Sequence, residues 1–176
     1  GTIAGIVINP IIRRYEAVVY IEKVEGERFE MPKNNPVMDQ VNLVFVPHVL
    51  PILVGTTVDF PNSDTVRHNV FSTPKSTKQF NLGTYDVGVV KQITFEKEGV
   101  VSLLCNVHAE MSAYVIVLQN PYFAVTDKQG KFIIRNVPTG KHRLTFWHES
   151  LKSEAIEIDA VEQKTTEVEF KDLKRK

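Results

Sequence analysis

The sequence predicts an all-β protein made of two β-sandwiches. Apolar and polar residues alternate in short runs, among them "TIAGIVI", "EAVVYIE", "KQITFEK", "AYVIVL" and "TTEVEFK", the period-two signature of half-buried strands. Clusters of turn residues separate these runs: "EGE", "PNSD", "NLG", "EKEG", "DKQG" and "VPTG". Valine, whose branched Cβ suits the pleated sheet, occurs 25 times, and no segment carries a helical period. At 176 residues the chain can bury one large core or two small ones.

In chain order, residues 1–26 hold two strand patterns. A loop, "MPKNNPVMDQ", follows, rich in Pro and Asn. Residues 27–119 hold a longer series of strands, with the only cysteine, all three methionines, and His48, His68 and His108. "QNPYF" marks a boundary, because its Pro follows a strong strand. Residues 120–176 return to strands and turns. In "FWHE" the expectation is that Trp147 packs inward.

Lys plus Arg and Asp plus Glu number 21 each. No basic excess points to nucleic acid or to an anionic membrane. No apolar run is long enough for a membrane span. A single cysteine excludes an intramolecular disulfide, so its thiol is a buried small hydrophobe, a nucleophile or a ligand.

"LLCNVHAEM" answers which. Cys105, His108 and Met111 supply a thiolate, an imidazole and a thioether from one short loop. With a second imidazole these form the His2Cys set with a weak axial Met that suits a mononuclear blue-copper centre. "DTVRHNVFS" offers His68 as a candidate for the second imidazole, since a sandwich could bring the turn before it beside the Cys loop. Zinc is the first rival, but structural zinc sites take four Cys or His ligands and methionine binds zinc poorly. A nucleophilic Cys with a His base is the second, but no third orienting group is evident.

At these residues the chain resembles the cupredoxins, the plastocyanin- and amicyanin-like family, over about residues 41–118. "FVPHVLPILVGTTVDFPNSDTVRHNVFS" resembles the family's first half, ending in His-Asn-Val. "FEKEGVVSLLCNVHAEMSAYVIV" resembles its closing segment. The resemblance implies a Greek-key sandwich and one type 1 copper per chain, held by His68, Cys105 and His108 with Met111 axial. It implies that Asn69 ties the two ligand loops together. Val107 stands where many members have Pro, so its N–H is free to donate to the Cys105 thiolate and raise the potential. Arg67 also departs from the small residue or Pro usual before the ligand His. It is either a solvated cation or a charge that favours Cu(I) and steers a partner.

The flanks resemble a second family. "GTIAGIVI", "EAVVYIEK" and "AVTDKQGKFIIRNVPTGKHRLTFWHE" are similar to the carboxypeptidase regulatory-like, transthyretin-like sandwich. This resemblance implies a discontinuous domain, residues 1–26 and 120–176, into which a cupredoxin domain of residues 27–119 is inserted.

The expectation is an exported electron carrier, periplasmic, whose export signal lies outside this sequence. It would pass single electrons between transient protein partners. Arg67, Ala109, Glu110 and Ala113 would form the docking surface around His108. A copper carrier holding Cu(I) on the same ligands is the alternative. An oxidase or nitrite-reductase role would need further copper ligands, and no His-x-His pair exists. His48, His142 and His148 are expected to be structural or exposed, Met31 and Met38 gap-filling or exposed.

Overall fold

The structure, a computed structural model, describes residues 1–106, 108 and 110–176. Among these residues it is all-β, with one helical turn, the 3-10 helix Pro10–Arg13, capped by Asn9. Among the described residues no helix is long and apolar enough to cross a membrane. The chain divides into two compact units, Gly1–Arg28 with Gln119–Lys176, and Phe29–Leu118.

The flanking unit begins with β1 (Thr2–Val7) and β2 (Val18–Ile21). The chain then builds the whole central unit: β3 (Asp39–Val41), β4 (Val44–Val46), β5 (Val49–Leu53), β6 (Thr57–Pro61), β7 (His68–Ser72), β8 (Asn81–Tyr85), β9 (Val90–Thr94), β10 (Gly99–Leu104) and β11 (Ser112–Leu118). It returns to the flanking unit for β12 (Phe123–Val125), β13 (Lys131–Ile134), β14 (Gly140–Trp147), β15 (Leu151–Lys152), β16 (Ile156–Ala160), β17 (Thr165–Phe170) and β18 (Lys174–Arg175).

In the central unit one sheet runs β5-β11-β10-β7-β8. β5 lies parallel to β11, and the other pairings are antiparallel. β6 and β9 pair separately, and β3 and β4 form a hairpin. The backbone of Asp59 in β6 bonds Pro36 and Met38, which lays the segment before β3 alongside. Alternation decides what is buried. Val58 and Phe60 of β6 meet Val101 and Leu103 of β10 and Val115 and Val117 of β11 in one apolar core. The rings of Phe60, Phe80 and Phe95 sit 6.1–6.4 Å apart, centroid to centroid, within the range of favourable aromatic pairs. Met38 fills this core, fully buried, while Met31 is exposed.

The flanking unit packs a sheet in the order β13-β1-β17 against one in the order β12-β2-β14-β16. Phe146 of β14 meets Phe170 of β17 edge to face at 5.1 Å, so one ring from each sheet fills the space between them. Trp147, expected inside, is the half-exposed neighbour of buried Phe146, and Lys176 lies over its ring. One slip in the period-two pattern exchanges the two faces. β2 and β12 are antiparallel neighbours, so the chain leaves and re-enters this unit on adjacent strands. Gln119 clips the two crossings together, its side chain bonding the Val24 N–H at 2.9 Å and the Val24 carbonyl at 2.7 Å.

Two turn expectations part company. "DKQG" is a turn in which Gly130 takes φ +84°, and a Cβ there would lie 2.2 Å from the Val7 carbonyl oxygen. "NLG" instead lies within β8, where Gly83 at φ +70° accompanies an irregular register against β7. A glycine at positive φ serves a strand irregularity as well as a turn.

His148 is fully buried in the flanking unit. Its Nδ1 accepts the N–H groups of Ser150 and Leu151 at 3.0 and 3.1 Å, so Nε2 carries the proton and donates to the Tyr15 carbonyl at 2.8 Å. Burial lowers its pKa. The unfolded chain therefore takes up a proton below about pH 6.5 that the fold resists. Stability rises with pH through the window between the folded and unfolded values and is lost as pH falls. Calorimetry from pH 7.5 to 5.5 is expected to show the flanking unit's melting temperature falling. His148→Asn should flatten that slope, while an unchanged slope in the variant would assign it to other groups.

Candidate metal centre

The inward alternation of β10 continues past its end. Val101, Leu103 and Cys105 are all buried, so the strand's own period aims the thiol into the core. β7 does the same with His68 and Val70, both fully buried. β7 and β10 are antiparallel neighbours, pairing Ser72 with Leu103 and Phe71 with Leu104. The start of β7 and the end of β10 therefore lie at one end of the sheet. His108 follows three residues after Cys105, half-buried, in the loop before β11.

Three donor atoms converge there. One nitrogen of His68, one nitrogen of His108 and the Cys105 sulfur lie within 4.8 Å of one another. His68 Nδ1 stands 3.8 Å from Cys105 Sγ and 3.3 Å from His108 Nδ1. Metal bonds of about 2.0–2.1 Å to imidazole and about 2.3 Å to thiolate span ligand-to-ligand edges of roughly 3.3–3.8 Å, which matches both edges that meet at His68. The donor set, a thiolate with two imidazoles, suits a borderline or soft transition metal.

Asp64 holds His68 from behind. Its Oδ2 lies 2.6 Å from His68 Nε2. A carboxylate only accepts, so Nε2 carries a proton, and the neutral ring then presents its Nδ1 lone pair toward Cys105 and His108. Asp64 also accepts the Leu43 N–H on Oδ2 at 2.9 Å and the Thr65 N–H on Oδ1 at 2.8 Å. These bonds, that from His68 foremost, lower its pKa to about 2, so it is a carboxylate at neutral pH. Sequence reasoning missed Asp64, although the Asp-x3-His spacing was the available signal.

Asn69 lies beside the thiol. Its Oδ1 accepts the Asn106 N–H at 2.7 Å and lies 3.3 Å from Cys105 Sγ. Met111 is buried in the same apolar cluster as Cys105, with its N–H on the His108 carbonyl at 3.0 Å. Tyr85 of β8 pairs with His68 across the strands, and burial pushes its hydroxyl up to about 12.

The expected docking residues scatter. Arg67 is exposed but spends its charge on Asp86 at 2.8 Å. Glu110 is exposed. Ala113 is fully buried in β11, a correction to the expected docking surface: the inward alternation of that strand gives a partner nothing to touch there. Val107 and Ala109 lie outside the described residues. The half-buried His108 instead borders a surface depression with Thr65, Val66, Arg67, Asp86 and Val87. His48 lies apart from the three donors, its Nδ1 on the Ser112 carbonyl at 3.1 Å and its ring edge-on to Tyr114.

No family model matches the chain, and no curated protein matches it in sequence. Solved structures do resemble it. A purple cupredoxin from Nitrosopumilus maritimus is 29% identical over 47% of this chain and 99% of its own, with a TM-score of 0.43. Amicyanin from Paracoccus versutus is 22% identical over 50% of this chain and 85% of its own, at 0.45. A Cu-containing nitrite reductase from Thermus scotoductus SA-01 is 23% identical over 66% of this chain and 28% of its own, at 0.48.

Proposed function

We propose that the central unit is a cupredoxin-type domain that holds one copper ion and carries single electrons between protein partners outside the cytoplasm. The observation that carries this reading is the convergence of the buried Cys105 sulfur with His68 and His108 nitrogens at one end of the sheet. His68, Cys105 and His108 would be the strong ligands and Met111 a weak fourth one. Bound copper would supply the one-electron couple. The protein's own part is to keep the ligands fixed between oxidation states. Strand alternation anchors His68 and Cys105, the Asn69 side chain joins their loops, and the core excludes water from the thiolate.

His108, half-buried beside the surface depression, is the route by which electrons would leave. The flanking unit is proposed to be a transthyretin-like sandwich that carries the copper domain as an insertion. No catalytic turnover is proposed, because Met111 would leave no open coordination position for a substrate.

Protein-film voltammetry of the copper-loaded chain, beside competition with a Cu(I) chelator, tests this. A reversible one-electron wave with copper retained is expected. Rapid loss of Cu(I) to the chelator with no reversible wave would assign a copper carrier instead.

A further inference from the structure

We propose that Asp64 is the positioning residue of the metal centre: it locks His68 as an Nδ1 ligand and sets a negative charge behind that ligand, which lowers the copper potential. The inference rests on the copper reading above.

Four facts carry it. Asp64 and His68 are both buried and meet at 2.6 Å on the side of the imidazole opposite the donor cluster. The carboxylate cannot rotate away, because the N–H groups of Leu43 and Thr65 hold its two oxygens. Its own N–H is bonded to Asn62 Oδ1 at 3.1 Å, and Asn62 Nδ2 bonds the carbonyls of Val66 and Tyr85 at 3.0 and 3.1 Å. The loop between β6 and β7 is thereby fixed as a rigid cradle. Finally, Leu43 gives its N–H to the same oxygen that binds His68, from a hairpin turn where Asn42 and Leu43 both take positive φ, 51° and 64°. A left-handed conformation is unfavourable for any residue with a Cβ, and here the turn delivers a donor to Asp64.

The chemistry follows from charge. A hydrogen bond from an imidazole N–H to a carboxylate makes the imidazole a stronger donor to the metal. A negative charge one ring away stabilises the more positive oxidation state, and burial keeps water from screening it. Arg67 does not cancel this field, since it is exposed and paired with Asp86.

Asp64→Asn keeps the shape and an acceptor and removes the charge. Asp64→Ala removes both. Both would be compared with wild type by copper affinity, visible and EPR spectra and voltammetry. Loss of such an outer partner costs about 10–100-fold in metal affinity. If that falls on Cu(II) and spares Cu(I), the potential of Asp64→Asn rises by about 60–120 mV, at about 59 mV per tenfold for one electron. Asp64→Ala should rise at least as far and also lose the fixed His68 tautomer, read by nitrogen-15 NMR of the metal-free protein. A native spectrum with less than a twofold shift in relative Cu(II) and Cu(I) affinity in Asp64→Asn would overturn the proposal. So would a metal-free wild type in which His68 carries its proton on Nδ1. A wild type with no thiolate-to-copper band would overturn the copper reading itself, and the potential argument with it.

Discussion

Cys105→Ser is expected to abolish the intense visible band of the copper-loaded chain and to weaken Cu(II) binding by at least about 100-fold. Outer-sphere changes alone cost about 10–100-fold, and this one deletes the sole thiolate of the donor set. Ser preserves the fold, because its hydroxyl occupies nearly the same space and finds the Asn69 Oδ1 that now lies 3.3 Å from the sulfur. Circular dichroism of the metal-free variant should therefore match wild type. A variant that keeps both the band and the affinity would show that Cys105 is a buried hydrophobe and nothing more.

Phe60→Ala should destabilise the central unit by about 3–5 kcal/mol, the usual cost of emptying a buried aromatic site. Phe60 has no exposed surface, and its ring touches the space shared with Phe80 and Phe95. These rings come from β6, from the segment before β8 and from the segment after β9, so the vacancy opens between the layers and cannot collapse locally. Urea unfolding is the check. With a slope of about 1–3 kcal/mol per molar for a domain of this size, the midpoint should fall by at least about 1 M. A loss under 1 kcal/mol would mean that the layers are held elsewhere.

The copper ligand candidates were legible in the sequence because their chemistry is concentrated. Cys105, His108 and Met111 share one loop, and no other residues of the chain offer that combination. The strands were legible because burial on one face imposes a period of two. What escaped the sequence depends on phase and on partners brought in by folding. Phe146 and Trp147 are neighbours of similar character, and only the opposing sheet decides which is buried. Ala113 looked like loop surface, yet β11 begins at Ser112 and turns it inward. Asp64 was overlooked for a different reason, although its spacing from His68 was a signal. Acidic residues are common in turns, and its role needs His68 four residues on and Leu43 from a separate hairpin. Gly83 read as a turn because glycine marks positive φ without saying whether a strand continues through it.

The most direct test of the central claim is a titration of the full chain with Cu(II), followed by visible absorption and EPR. The account predicts an intense thiolate-to-copper band that saturates at one copper per chain, a narrow copper hyperfine splitting, and reversible bleaching by a one-electron reductant. Weak absorption with wide hyperfine splitting, or no copper bound at all, would contradict it.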